Sequence, residues 1–178
     1  MTKGILVLLI FTLIEKSVVG QTVHSISLGP NLGLGANFGN SSKASIGGNF
    51  EYVAKFSSVI GARASVAYNK FRDKANEDRY VSFLPVRAGV QAFIYQDIFF
   101  VYAEGGIATY KSSNPDPALT KFSWSLGAGY RQPLAQNQFL QFSAWFNHFK
   151  HNPNLTYTWF NFGVAYGLSF GKKNGPKE

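Results

Sequence analysis

A two-residue alternation of apolar and polar side chains recurs along this chain from Ile26 to Phe170, and it restricts the fold more than any other feature. In the first stretch Ile26, Leu28, Pro30, Leu32, Leu34, Ala36 and Phe38 are apolar, while Ser27, Gly29, Asn31, Gly33, Gly35 and Asn37 between them are small or polar. Side chains alternate across a strand with period two, so the pattern specifies β-structure. A run of this length exceeds the usual globular strand of about 5–6 residues and suits a tilted strand crossing a bilayer, which takes about 9–11.

Turn residues divide the chain into eight such segments, at 25–38, 44–56, 59–71, 80–94, 98–110, 121–131, 138–149 and 157–170. Three connections are short: Ser57-Ser58, Tyr95-Gln96-Asp97 and residues 132–137. Three more, at 70–79, 111–120 and 150–156, are longer and polar, and the first, 39–43, breaks the rhythm. An even number of strands with short turns at one end and longer loops at the other specifies an all-β fold, an eight-stranded antiparallel up-and-down transmembrane β-barrel. Pro30 and Pro85 each remove a ladder donor inside a strand, and bulges are expected there.

The N-terminus reads as a secretory signal, with Lys3 before an apolar run from Ile5 to Ile14 and Val18 and Gly20 at the −3 and −1 positions of a cleavage before Gln21. The domain reading is therefore a signal peptide over 1–20 and a barrel over 21–178 that ends in a short tail, 171–178. No other stretch is long and apolar enough to span as a helix, so a membrane assignment rests on the strands. Cysteine is absent, which excludes a disulfide-stapled scaffold. The chain has 17 basic and 9 acidic residues. In an exported protein such a balance points to anionic headgroups and lipopolysaccharide phosphates rather than to nucleic acid.

Alternation alone does not separate a membrane barrel from a soluble one. The polar face does, because it consists mostly of Gly, Ser, Asn and Ala, with the charges gathered in loops. Small residues fit the narrow lumen of eight strands. Large aromatics, including Phe50, Tyr52, Phe56, Phe122, Trp124, Tyr130, Phe142, Phe146, Phe160 and Phe162, then face lipid. Interfacial girdles are expected from Tyr68, Tyr80, Tyr110, Trp124 and Tyr157 toward the loops and from Phe56, Tyr95, Phe99, Tyr130, Phe139 and Phe170 toward the turns.

Seven charged residues are out of phase with the lipid face and form the expected lumen network: Glu51, Lys55, Arg63, Arg87, Glu104, Lys121 and Arg131. Buried charges need partners. Folding at Ser57-Ser58 sets Glu51 nearly opposite Arg63, and folding around Gln96 sets Arg87 nearly opposite Glu104. Such pairs, with Gln91, Gln141 and Asn161 nearby, plug the lumen. The excess of bases over acids leaves a narrow anion path as the alternative.

The whole chain after the signal resembles the small outer-membrane β-barrel superfamily of the OmpA-membrane-domain, OmpX and OmpW type. The resemblance is carried by the segment pattern, by Phe83-Leu84-Pro85-Val86-Arg87-Ala88-Gly89-Val90 and by the ending Gly163-Val164-Ala165-Tyr166-Gly167-Leu168-Ser169-Phe170. It implies insertion into the bacterial outer membrane by the barrel-assembly machinery, which recognises the last strand; the short turns, periplasmic in such barrels, place both termini in the periplasm, and a monomer is expected. The tail after Phe170 departs from the family pattern. Functions in the superfamily range over structural anchoring, adhesion and small-solute passage.

Chemistry is sparse. Lipid A deacylases of this fold place a serine two residues after a histidine, but Lys150 follows His148 at that spacing, so no catalytic residue is assigned. His24, His148 and His151, without cysteine or clustered carboxylates, give no metal site, and no cofactor is expected. In the loop after the third segment, Lys70, Arg72, Lys74 and Arg79 are candidate contacts to lipopolysaccharide phosphates. The reading is a non-enzymatic envelope barrel with a plugged polar lumen and a structural or surface-interaction role. Its alternatives are a narrow pore for small anions or apolar solutes and a lipid A-modifying hydrolase.

Overall fold

The alternation folds into eight strands: β1 (Val23–Gly35), β2 (Ala44–Lys55), β3 (Ile60–Arg72), β4 (Tyr80–Tyr95), β5 (Phe99–Ser112), β6 (Leu119–Ala135), β7 (Gln138–Asn152) and β8 (Leu155–Phe170). Each pairs antiparallel with its neighbours in sequence, and β1 closes on β8. The structure is a computed structural model describing residues 22–35, 44–72, 79–95, 97–113 and 117–171. The predicted signal peptide, residues 36–38 of the first predicted segment, Lys74 and all but the first residue of the predicted tail lie outside the described residues.

Two connections are markedly shorter than the sequence reading gives them. Strand β6 runs on through Pro133 to Ala135. The longer connection expected at 150–156 contracts to Pro153-Asn154, because β7 continues to Asn152 and β8 starts at Leu155. A local side-chain bond explains the tight reversal: the Asn154 backbone N–H donates to Asn152 Oδ1 at 2.9 Å, as Asx turns do. A register shift between Lys150 and Asn152 absorbs the extra residue.

The expected bulges at Pro30 and Pro85 do not form. Pro30 sits opposite Gly48 in unbroken register, and on its other side pairing passes from Leu28↔Tyr166 to Asn31↔Gly163 without a shift. Pro85 sits opposite Ala108, and its pairing with β3 likewise skips from Val66↔Val86 to Asn69↔Phe83. A proline lacks one donor on one side only, so skipping a pair satisfies the geometry without an inserted residue. The shifts lie instead near strand ends, between Phe93 and Tyr95, Pro133 and Ala135, and Lys150 and Asn152.

The two faces separate as the alternation requires. Ile46, Leu28 and Phe122 are 73%, 65% and 65% exposed, and Leu32, Val90, Ile107, Leu126 and Phe162 are also on the outer surface. This apolar girth fits lipid better than water. Phe50, Phe142 and Phe160 are exposed as expected, and Tyr52, Phe56, Trp124, Tyr130 and Phe146 are half-buried.

Several girdle expectations are corrected. Tyr110 and Tyr157 point inward and pack against a buried group of Phe71, Phe83, Ala108, Phe149 and Trp159 at the loop end. There Phe83 stacks on Trp159 with ring centroids 4.7 Å apart, and Tyr110 stacks on Tyr157 at 5.6 Å. Phe139, assigned to the turn-end girdle, is buried too. A second inner group, Val53, Phe93, Phe100, Tyr102 and Trp145, lies nearer the turn end.

Glycines on neighbouring strands make room for these rings. Tyr102, Phe100 and Phe139 lie directly opposite Gly127, Gly129 and Gly167. A Cβ on Gly127 would meet the Tyr102 ring at 2.4 Å, and one on Gly167 would meet Phe139 at 2.1 Å. Small inward residues therefore complement large ones rather than simply narrowing the interior.

Candidate functional site in the barrel interior

Between the two aromatic groups lies a layer of buried polar side chains drawn from all eight strands. Its centre is Arg63 on β3, an inward position on a strand whose odd-numbered residues turn to the interior. The Arg63 guanidinium reaches Glu51 on β2 at 2.6 Å and Glu104 on β5 at 2.7 Å. It also donates to Gln91 Oε1 at 3.0 Å and lies 3.8 Å over the Tyr102 ring. One arginine thus bridges two carboxylates and stacks on an aromatic face, an arrangement suited to its planar fork.

Both carboxylates are saturated by further donors. Glu51 accepts from Asn49 Nδ2 at 2.8 Å, Ser27 Oγ at 3.2 Å and Gln141 Nε2 at 2.6 Å. Glu104 accepts from Ser65 and Ser125, each at 3.1 Å. These bonds tie β1, β2, β3, β5, β6 and β7 across the interior.

The register sets these pairs differently from the sequence reading. Glu51 lies opposite Ser65, and Arg63 lies opposite Val53, so the long arginine side chain spans the offset. Arg87, expected to meet Glu104, lies opposite Gly106, while Gly89 faces Glu104. Arg87 instead donates from Nε to Ser123 Oγ at 3.1 Å and from its terminal nitrogens to Ser123 at 2.6 Å and Asn147 Oδ1 at 2.7 Å. Among the described residues it makes no ion pair.

Arg131, near the turn end of β6, donates to Gln141 Oε1 at 2.9 Å and lies 4.6 Å over Phe139, with Phe93 and Phe100 also within cation–π reach. Lys55 pairs with Asp97 at the turn-end rim and stands 4.9 Å over Phe93. Lys121 departs from the expected network. It is exposed at the loop end and donates to the His151 carbonyl at 2.7 Å.

One wall of the interior is polar without being fully paired. Asn161 donates to Asn69 Oδ1 at 2.9 Å. Among the described residues no partner is present for the Asn31 amide, Ser45 Oγ, Asn49 Oδ1, Asn69 Nδ2 or Asn161 Oδ1, all buried. These residues belong to β8, β1, β2 and β3.

Outside the interior, the described loop candidates gather at the loop end of the β3–β4 hairpin, where Arg72 pairs with Tyr80 and Arg79 precedes it. Lys70 lies over the Tyr80 ring at 4.2 Å, and Arg72 and Arg79 are exposed. His148 stacks on Trp124 at 5.0 Å and lies opposite Thr158 on β8. No group of His, Asp and Glu suited to a metal ion occurs among the described residues.

The inner aromatic rings are what the sequence reading missed. Strict counting finds them, since Phe71 shares the phase of Arg63, Phe83 that of Arg87, and Trp159 that of Asn161.

Comparison with known proteins gives a consistent fold. The family model described as outer membrane protein beta-barrel domain matches residues 5–167. No curated protein sequence matches the chain. Among solved structures, Ail of Yersinia pestis superposes with a TM-score of 0.60 at 20% identity, covering 85% of this chain and 100% of that one. Neisserial surface protein A gives 0.52 at 11% identity, covering 84% and 95%. OprG of Pseudomonas aeruginosa gives 0.50 at 10% identity, covering 85% and 96%. At these identities the likeness is one of fold.

Proposed function

Because this chain belongs to the outer membrane protein beta-barrel domain family, we propose that it is a monomeric, non-enzymatic barrel of the bacterial outer membrane whose polar lumen is plugged, with a structural or surface-interaction role in the envelope. The observation that carries the reading is Arg63 held between Glu51 and Glu104 in the middle of the barrel. An ion pair so completely bonded resists opening, because separating it strands charge in a desolvated interior. The aromatic groups above and below it, built on Phe83 and Trp159 and on Phe100 and Tyr102, support the same reading. Eight strands enclose just enough width for side chains to fill.

In this reading the short turns and both termini face the periplasm, the loops face outward, and the barrel-assembly machinery inserts the chain through β8. Lys70, Arg72, Lys74 and Arg79 then meet lipopolysaccharide phosphates at the outer surface. Proteoliposomes test the closed lumen: swelling in small sugars and efflux of chloride should match protein-free vesicles, and solute entry at a porin-like rate would overturn the proposal.

A second reading, a narrow anion path, has its own support. Arg87 and Arg131 are buried without an ion pair among the described residues, and the Asn31, Ser45, Asn69 and Asn161 wall has polar atoms to spare. Chloride efflux without potassium efflux would favour it.

A further inference from the structure

At the loop end of the outer surface, a depression of about 410 Å³ opens between β6 and β7. Phe122 and Trp124 of β6 and His148 and Lys150 of β7 line it, with Lys121 and Pro153 at its rim. Three features distinguish it from the rest of the apolar girth. Two lysines stand at its upper edge, and among the described residues no carboxylate lines it. The Lys150 side chain is exposed and makes no hydrogen bond or ion pair with the described residues, and Lys121 uses one N–H on the His151 carbonyl at 2.7 Å. Beneath them Trp124 and His148, directly opposite in register, stack with planes 14° apart. Phe122, two residues before Trp124 on β6, lies on the loop side of that plate, and on its turn side the surface is apolar through Leu126, Phe146 and Phe160.

That vertical order, cations, then a flat aromatic plate, then hydrocarbon, mirrors an anionic lipid read from headgroup to chain. A protein ligand has no need of the apolar lower half, and a free anion has no need of the plate. We propose that this depression is a binding site for one phosphate-bearing lipid of the surrounding leaflet. Lys121 and Lys150 clasp the phosphate, the Trp124 and His148 rings support the sugar or glycerol unit, and Leu126 and Phe146, one step toward the turn end, receive the start of an acyl chain. Lysine binds phosphate as a compact point charge, and tryptophan favours the headgroup level, so each residue type suits its depth. The site is separate from the Lys70, Arg72 and Arg79 candidates, which lie on β3 and just before β4.

The inference rests on the membrane placement proposed above but not on which end faces outward. Phosphatidylcholine nanodiscs containing the barrel, doped with diphosphorylated lipid A in both leaflets, provide the test. Native mass spectrometry after release should show one lipid A retained per barrel. Retention should weaken about tenfold or more in the K121A/K150A double variant and for dephosphorylated lipid A with the same chains. As lipid A is added to the wild-type protein, the Trp124 indole N–H signal, assigned with W124F, should shift while those of Trp145 and Trp159 stay in place. Unchanged retention in K121A/K150A, or an unmoved Trp124 signal, overturns the proposal. Displacement by millimolar inorganic phosphate overturns the lipid as its source. Incorporation into the nanodisc itself reports the barrel, so lost binding in an incorporated protein counts against the site alone.

Discussion

Replacing Arg63 with Met isolates the energetics of the interior. The substitution keeps much of the side chain's length and removes the guanidinium that pairs with Glu51 at 2.6 Å and Glu104 at 2.7 Å. Both carboxylates stay buried, 2% and 6% exposed, with only neutral donors: Ser27, Asn49 and Gln141 on one, Ser65 and Ser125 on the other. Breaking a buried pair by deleting one partner costs about 3–5 kcal/mol, and here one deletion breaks two. A cost near about 4 kcal/mol lowers the folded-to-unfolded ratio by a factor of about 1,000. The parallel variant R87M strands no carboxylate, since its partners Ser123 and Asn147 are neutral, so it should cost about 1–3 kcal/mol. Urea titrations of the protein in phosphatidylcholine bilayers, followed by tryptophan fluorescence and heat-modifiable migration, measure both. Adding E51Q and E104Q to R63M should recover at least half of the loss, because the stranded charge is gone. The reasoning is refuted if R63M unfolds within about 1 kcal/mol of wild type, or if R87M is the more damaging change.

Adjacent glycines on β5 offer a sharper steric contrast. A Cβ on Gly106 would meet the Val86 carbonyl oxygen at 2.2 Å, whereas one on Gly105 would meet only Phe122 ring carbons at 3.6 Å. Refolding yield on unheated gels should collapse for G106A and stay at the wild-type level for G105A. At the turn-end rim Lys55 and Asp97 are partly exposed, their side chains 17% and 46%, so D97N should cost about 0–1 kcal/mol in the same urea titration and less in high salt. In the loop-end group, W159A removes the ring stacked on Phe83 at 4.7 Å and edge-on to Phe71 at 6.1 Å, and should cost about 3–5 kcal/mol at the urea midpoint.

The barrel was legible because one face is apolar almost throughout: Leu28, Leu32 and Leu34 on β1 and Phe160, Phe162 and Val164 on β8 leave no choice of facing. Strand ends were less so. Asn152 closes the Pro153-Asn154 turn through its own side chain, and composition alone makes that stretch look like a loop. Which charges are interior was mostly readable from phase, but which pairs they form was not. Strand phase fixes the face, whereas pairing depends on register and side-chain reach, and the reach of Arg63 carries it past its direct opposite Val53 to two acids. Lys121 shares the inward phase yet sits at the rim, where the strand outruns the enclosed interior. Residue type alone assigns Tyr110, Tyr157 and Phe139 to the interfacial girdles, yet Phe139 is buried and the two tyrosines pack against the inner rings of Phe83, Phe149 and Trp159.

Single-channel recording of the folded protein in a planar bilayer tests the closed polar lumen most directly. Insertion is confirmed separately by the heat-modifiable migration of protein recovered from the same preparation. The account predicts a silent bilayer at every voltage below dielectric breakdown, with Arg63 holding Glu51 and Glu104 together. Discrete, reproducible conductance steps from the wild-type barrel would contradict it.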